Sequence, residues 1–174
     1  INVKKKGGRV ARKWRDFLRE SWNCPEAIRG RQNRGGPDSP DVIHGIPGTH
    51  VEVKGRKSLS FVISALGECD TFCADSDFVP LLKLDIDGKE SLVLFWAEHG
   101  QNLKSKVGKC WYSISRKKLS AYSFMDQAVR DAELDLPYVA MQQNYKPWII
   151  MLRHKDLDSF IDQLERHLGL GTQL

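Results

Sequence analysis

Apolar side chains recur at helical spacing in three parts of the chain. In residues 9–22 they alternate with basic residues at intervals of three to four, and Pro25 follows the last of them. Residues 119–134 show the same spacing. A third apolar stripe follows Asp156, a residue type that favours the N-cap of a helix. The pattern therefore predicts three helices: one over residues 9–22, one over residues 119–134, and one that begins near Asp156.

Between these helices lie short runs that are rich in β-branched and aromatic residues. The runs "DVIHGI" and "THVEVKG" are separated by Pro-Gly, which predicts a hairpin. An Asp-Gly turn signal, "DGK", joins two further runs, and "PYVAMQQ" and "PWIIMLR" predict two buried strands around "NYKP". Residues 59–118 read as a less regular, β-rich block. The order of elements predicts an α/β fold, a mixed central sheet flanked by helices, as one domain over residues 1–174 with an insertion at about 59–118.

Charge is unevenly distributed along the 174 residues, whose formal net charge is +5. Residues 1–36 contain eleven Lys or Arg and three Asp or Glu, a net charge of +8, which leaves −3 for the rest. A basic segment on a nearly neutral body favours a polyanionic partner such as nucleic acid. The alternative is a solvated basic face.

Membrane and redox signals are weak. No apolar run is long enough for a membrane span, and no apolar segment follows the first lysines, so neither a membrane partner nor a signal peptide is expected. The four cysteines lack the spacing of a zinc finger. A zinc site stays an alternative, but free buried thiols in a reducing cytoplasm are the preferred interpretation.

The run "HVEVK" raises the question of why an acid and a lysine stand two residues apart on a strand. Glu52 and Lys54 share one face of the strand, about 7 Å apart, and Asp41 begins the preceding run. If the two strands pair, the carboxylates of Asp41 and Glu52 come close and repel unless a cation lies between them. Mg²⁺ suits one or two carboxylates together with water and phosphate, and a nearby lysine can stabilise phosphate charge. The pattern favours phosphodiester hydrolysis; the alternative is a solvated surface strand.

Taken together, "SPDVIHGIPGTHVEVKGR" resembles the core motif of the PD-(D/E)XK nuclease superfamily. With "KGGRVARKWRDFLRE", "IRGRQNRGGPDSPDV", "DQAVRDA" and "PWIIMLRHKDL", the chain resembles phage and bacterial Holliday-junction-resolvase-like endonucleases over residues 5–57 and 119–165. The resemblance implies a restriction-endonuclease-like fold and a Mg²⁺-dependent DNA endonuclease that accepts Mn²⁺. It further implies a homodimer, because symmetric cutting of a junction requires two active sites.

The resemblance assigns roles to individual residues. Asp41 and Glu52 would be metal ligands together with the carbonyl of Val53, and Lys54 would be the catalytic lysine. Gln127 would lie near the scissile phosphate or a bound water; its alternative is a solvent-facing helical glutamine. Asp38 competes with Asp41 for the first acid, although its position in "GPDSP" suits a turn.

One position departs from the family pattern. The family's first helix usually carries a glutamate where this chain has Ala11. Three readings stay open: another acid, with Glu20 the nearest, replaces it; the chain is an engineered inactive form; or the protein is a weak nuclease that binds DNA well.

Several basic and aromatic residues are candidates for DNA contact. The loop before the first acid and the first helix supply the polar candidates Arg29, Arg31, Gln32, Arg34 and Arg12. Each has a solvated surface charge as its alternative. Tyr145 and Trp148 would stack on bases or, in the simpler reading, Trp148 belongs to a core strand.

The leading hypothesis is therefore a cytoplasmic Mg²⁺-dependent endonuclease that acts on branched DNA. The alternatives are a general phage nuclease acting on forks, flaps or duplex, and a DNA-binding protein with a degraded nuclease site. A globular domain with a basic segment and no nucleic-acid role is the remaining reading.

Overall fold

The computed structural model describes residues 3–30, 40–103 and 108–169. Within these residues the chain forms four α-helices, eight β-strands and two 3₁₀ turns. The helices are α1 (Val3–Ser21), α2 (Ser60–Phe72), α3 (Tyr122–Ala132) and α4 (Leu157–Leu168). The strands are β1 (Ile28–Arg29), β2 (Val42–Ile43), β3 (Thr49–Arg56), β4 (Val79–Ile86), β5 (Leu92–Trp96), β6 (Lys109–Arg116), β7 (Leu136–Gln143) and β8 (Ile149–Arg153). The 3₁₀ turns are Ala97–Asn102 and His154–Asp156.

Six of the strands form one mixed sheet in the order β3-β7-β8-β5-β4-β6. The pairs β3–β7 and β4–β6 are parallel, and the three pairs between them are antiparallel. The short strands β1 and β2 form a separate antiparallel pair. The predicted α/β class, a mixed sheet flanked by helices, is confirmed.

The two faces of the sheet are buried in two different hydrophobic clusters. Along β7, Tyr138 and Ala140 face the cluster that includes Trp14 of α1 and Phe160 of α4. Val139 and Met141 alternate with them and face the cluster that holds α2 and α3. This alternation follows from the two-residue repeat of a strand. It explains why the inner strands read as nearly continuous apolar runs, since both of their faces are covered.

The middle of the chain is more regular than its sequence indicates. Residues 59–118 contain α2 and three strands of the same six-stranded sheet. The apolar spacing did not reveal α2 because its exposed residues, such as Ser64 and Gly67, contrast little in hydropathy with its buried residues. The turn predicted at "DGK" joins β4 and β5, where Gly88 adopts a φ of +68° that favours glycine. The segment is therefore structurally part of the central sheet, and its status as an insertion relative to other proteins stays a prediction.

The predicted hairpin between "DVIHGI" and "THVEVKG" is wrong. β2 pairs with β1, and β3 pairs in the sheet with β7. The chain turns sharply at the end of the first run, where the backbone N–H and the hydroxyl of Thr49 both donate to the carbonyl of Ile46. The N–H of Asp41 also donates to the carbonyl of Val51, but within the described residues the two runs form no strand ladder.

The preference for free thiols is wrong for two of the four cysteines. Cys73, which ends α2, forms a disulfide with Cys110 in β6 across 37 residues of sequence. Cys24 and Cys69 are free and buried, and burial raises their pKa values to about 11 and about 12. The pairing depends on the approach of α2 to the outer strand, which sequence spacing does not show.

The last helix begins where the sequence predicts, with Asp156 at its N-cap position. The carboxylate of Asp156 accepts a 2.6 Å hydrogen bond from Nε of Arg153 and does not cap the helix.

Within the described part of the chain, no helix combines the length and the apolar character that a membrane crossing requires.

Candidate active site

The strand that carries the acid and the lysine lies at one end of the sheet. Among the described residues, strand β3 has β7 on one side and no further strand of the sheet on the other. α1 and α3 both contact β3. Val51 and Val53 face the cluster under α1 and α4, and the alternation directs His50, Glu52 and Lys54 to the opposite face, as the sequence predicts.

Asp41 is attached to the free edge of β3 by two hydrogen bonds. Its backbone N–H donates to the carbonyl of Val51 at 3.4 Å, and its Oδ2 accepts from the backbone N–H of Val53 at 2.7 Å. Because the N–H and C=O groups of one residue in a strand point the same way, the carbonyl of Val53 is directed to this same edge. The aspartate and the carbonyl that the resemblance assigns to a metal are thus neighbours.

A glycine fixes the backbone behind Asp41. The N–H of Gly30, just after β1, donates to the carbonyl of Asp41 at 2.9 Å. A Cβ atom on Gly30 would lie 1.9 Å from the carbonyl oxygen of Pro40, so no larger residue fits without displacing the backbone. The close approach of the two strands therefore sets the position of the aspartate.

The two carboxylates interact electrostatically. Burial, followed by the nearby charge of Glu52, raises the pKa of Asp41 from 3.8 to about 6. The Val53 N–H and the charges of Lys54 and Arg29 act in the opposite direction but do not cancel the increase. Glu52 itself is only 7% exposed. Two interacting carboxylates, one buried and one half-buried, form a site of negative potential that a divalent cation would relieve.

Lys54 links the acids on β3 to helix α3. Its Nζ lies 2.5 Å from Oε1 of Glu52 and donates a 3.0 Å hydrogen bond to Oε1 of Gln127. The structure thus brings Gln127 to the candidate lysine across 73 residues of sequence, and it is half-buried at this contact. The reading of Gln127 as a solvent-facing residue is not what the structure shows.

Helix α3 packs against the face of β3 that carries Lys54. Phe124 contacts Arg56 and Lys54, with its ring centroid 4.4 Å from Cζ of Arg56 and 5.6 Å from Nζ of Lys54. One turn later Gln127 bonds Lys54. Sequence analysis missed Phe124, although its spacing of three residues before Gln127 places both side chains on one face of the helix.

His50 lies at the other end of this face and is only 2% exposed. Its Nε2 has no hydrogen-bond partner within the described residues. Burial lowers the pKa of His50, while the charges of Glu52, Asp131 and Asp135 oppose the decrease. The direction favours a neutral imidazole, so His50 adds no positive charge beside Glu52 at neutral pH.

The position of the expected first-helix glutamate is buried. Ala11 is 1% exposed on the side of α1 that also presents Gly8, whose added Cβ would meet the guanidinium of Arg29 at 2.8 Å. Glu20 lies nine residues further, about two and a half turns, which directs it to the opposite side of the helix, and it is exposed. Glu20 therefore does not replace the missing acid.

The predicted DNA-contact residues lie in different environments. Arg12 is exposed on α1, where it is free to meet a phosphate. Arg29 is half-buried and lowers the pKa of Asp41, so it belongs to the surroundings of the acid. Trp148 is a core residue at 7% exposure, and Tyr145 is 99% exposed in the β7–β8 turn. Three predicted contacts and the competing acid lie outside the described residues: Arg31, Gln32, Arg34 and Asp38.

No group of three or more His, Cys, Asp and Glu side chains converges within residues 3–30, 40–103 and 108–169. The oxygen donors at β3 are instead two carboxylates, of Asp41 and Glu52, and the carbonyl of Val53. Mg²⁺ typically takes one or two protein carboxylates and completes its coordination with water and substrate phosphate, so the donor set fits that ion. The raised pKa of Asp41 is the second observation in favour of the fit.

The geometry on β3 carries the functional argument by itself, because no family model, no curated protein and no solved structure matches this chain.

Proposed function

We propose that the protein is a metal-dependent DNA endonuclease with its active site at the free edge of β3. The observation that supports this best is the gathering of Asp41, Glu52, Lys54 and Gln127 from three separate elements around one edge. Nothing in the packing of the core requires an acid at 7% exposure in a strand, and burying charge is costly unless a function or a partner compensates. The arrangement fits the PD-(D/E)XK plan that the sequence resembles.

In this proposal Asp41, Glu52 and the Val53 carbonyl hold Mg²⁺, and Mn²⁺ suits the same oxygen ligands. The bound ion would polarise the scissile phosphate and lower the pKa of a bound water. The limited exposure of the two carboxylates reduces the competition of water with the ion for their oxygens. The hydrogen bond from the Val53 N–H holds Oδ2 of Asp41 in place, which leaves its other oxygen for the ion.

Lys54 provides a fixed positive charge for the phosphate. Glu52 and Gln127 both contact its ammonium group, so the group is already oriented before substrate arrives, which is what electrostatic stabilisation of a transition state requires. Gln127 acts as a positioning residue through Lys54. Together these contacts give each of the four residues a role in hydrolysis of a phosphodiester.

Branched DNA, a four-way junction above all, is the proposed substrate, and a homodimer would supply two sites for symmetric cutting. These two points rest on the resemblance of the sequence motifs.

A DNA-binding protein with a degraded site is the second candidate function. The observation in its favour is Ala11, which places a methyl group on the buried side of α1 where the resemblance expects an acid. In that case Lys54 and Glu52 satisfy each other as an ion pair, and the surface binds DNA without cutting it.

The test is incubation of the protein with a labelled four-way junction and with a linear duplex of the same arm sequence, in Mg²⁺, Mn²⁺ or EDTA. Cutting of the junction that EDTA abolishes supports the proposal, and equal cutting of the duplex supports a general nuclease. Tight binding without cutting supports the degraded site. Ala11→Glu is then the informative variant, because it restores the acid and should restore cutting.

A further inference from the structure

Two segments that are distant in sequence lie side by side next to the candidate active site. Arg56, the last residue of β3, stacks on Phe124 of α3, with its Cζ 4.4 Å from the ring centroid. Arg116, the last residue of β6, stacks on Phe61 of α2 at 3.6 Å. Segments 56–61 and 116–124 thus contact each other at both ends and run in opposite directions between the two contacts.

These segments concentrate positive charge. Their five cationic side chains are Arg56, Lys57, Arg116, Lys117 and Lys118. All but the half-buried Arg56 are exposed, and residues 53–61 and 113–125 contain no Asp or Glu. We call these five side chains the basic strip.

The basic strip has no internal counter-charge. Within the described parts of the chain, none of its five side chains has a carboxylate oxygen within 4 Å. Asp87 lies beside Arg116, since its backbone N–H donates to the carbonyl of Arg116, but within the described residues no ion pair joins the two side chains. The two arginines are instead held by aromatic rings, which fixes their position but leaves their charge uncompensated. Like charges concentrated on one surface repel one another and attract an anion.

The basic strip is continuous with the candidate active site. The ring of Phe124 contacts Lys54 and Arg56 together, and these two residues stand two positions apart on one strand face, about 7 Å. One strand of B-DNA advances about 3.4 Å along the axis per phosphate, so a spacing of about 7 Å corresponds to two phosphate steps. A backbone with one phosphate at Lys54 can therefore place a second phosphate of the same strand at Arg56.

We propose that the basic strip binds the phosphate backbone of DNA adjacent to the cleavage site, and so extends the substrate path from β3 across the β6–α3 loop. This proposal rests on the proposed function for its choice of DNA as the polyanion. It adds a contact surface separate from the basic loop and helix near the N-terminus of the chain. The arginines, fixed by aromatic rings, orient the backbone, and the three lysines supply sequence-independent attraction.

The test is equilibrium binding of a fluorescein-labelled duplex by anisotropy in EDTA, over a salt series from about 50 to 200 mM. The test protein carries Lys57→Ala, Lys117→Ala and Lys118→Ala. The matched control carries Arg130→Ala, Lys155→Ala and Arg166→Ala, which removes the same charge from exposed sites on other elements. Thermal melts of both variants establish that they are folded.

We expect the strip variant to lose affinity by at least about 10-fold at 0.1 M salt and to reduce the slope of log K against log salt by about 3, because each lost phosphate contact removes about 0.9. The control should stay within about twofold of the wild type, with its slope unchanged. Equal behaviour of the two variants would overturn the proposal.

The result is separate from the fate of the proposed function, because EDTA removes catalysis from the measurement. If the wild type never cuts DNA and the strip variant loses binding, the proposed nuclease activity is refuted and the proposed DNA binding by the basic strip is supported. If the wild type cuts DNA and the strip variant binds as tightly as the wild type, the nuclease activity is supported and the DNA binding by the basic strip is refuted.

Discussion

Replacing Asp41 with asparagine should make the protein more stable while removing its proposed activity. Asparagine keeps an oxygen that accepts the hydrogen bond from the Val53 N–H, but it removes the charge that burial and Glu52 disfavour. The pKa of Asp41 rises from 3.8 to about 6 on folding. At 1.36 kcal/mol per pKa unit, this rise of roughly two units corresponds to at most about 3 kcal/mol of destabilisation by the ionised aspartate.

The sign and pH range of this effect follow from linkage. Because the folded state holds the Asp41 proton more tightly, the wild type loses stability as pH rises from about 4 through about 6, and the loss is complete above about 7. The free energy of unfolding of Asp41→Asn should therefore exceed that of the wild type by about 1–3 kcal/mol at pH 7.5, and the difference should shrink towards pH 4. Urea denaturation in EDTA at each pH measures it. A variant that is less stable than the wild type at pH 7.5, or a difference that grows on acidification, would refute the reasoning.

Mg²⁺ should reverse the order of stability. An ion that binds only the folded wild type adds about 2.7 kcal/mol at a hundred times its dissociation constant, whereas Asp41→Asn lacks one of the two carboxylates. Thermal melts with and without Mg²⁺ measure the effect. An equal shift of both proteins would show that the ion binds elsewhere.

Three further perturbations test other contacts. Gly30→Ala should displace the backbone that carries the first acid, lower the free energy of unfolding by about 1–3 kcal/mol and abolish cutting. The control Gly67→Ala lies at an exposed helical site with no atom within 4 Å and should stabilise the protein by about 0.5–1 kcal/mol. Urea denaturation compares the two variants, and equal effects would contradict the steric account. Gln127→Leu should lower kcat for DNA cutting and leave KM unchanged, because it removes a hydrogen bond to Lys54 without removing a DNA contact. Steady-state kinetics measure both constants, and an unchanged kcat would mean that Gln127 has no positioning role. Cys73→Ser should lower the free energy of unfolding under non-reducing conditions by about 2–4 kcal/mol, since the disulfide closes a 37-residue separation; an unchanged value would indicate that the thiols are reduced.

The site was predictable from the sequence to the extent that it is local. Glu52 and Lys54 sit two apart on one strand, so a two-residue repeat places them together whatever the rest of the chain does. The position of Asp41 near Glu52 was also predicted, but from an expected pairing of two strands that does not form. Asp41 reaches β3 through one backbone contact and its own carboxylate, not through the expected hairpin.

The rest depended on contacts that no local pattern encodes. The Cys73–Cys110 disulfide and the hydrogen bond from Lys54 to Gln127 span 37 and 73 residues. Helix α2 was missed because its exposed and buried residues differ little in hydropathy, so the periodicity that reveals an amphipathic helix is weak. The basic strip likewise forms only when segments 56–61 and 116–124 come together, although β3 and β6 lie at opposite edges of the sheet.

The central claim is that Asp41, Glu52 and Lys54 hydrolyse DNA with a divalent cation. Single-turnover cutting of a labelled four-way junction in Mg²⁺ by the wild type, Asp41→Asn and Glu52→Gln tests it most directly. The account predicts EDTA-sensitive cutting by the wild type and a loss of at least about 100-fold in both variants, with most of the DNA binding preserved. Either variant cutting at the wild-type rate would contradict it.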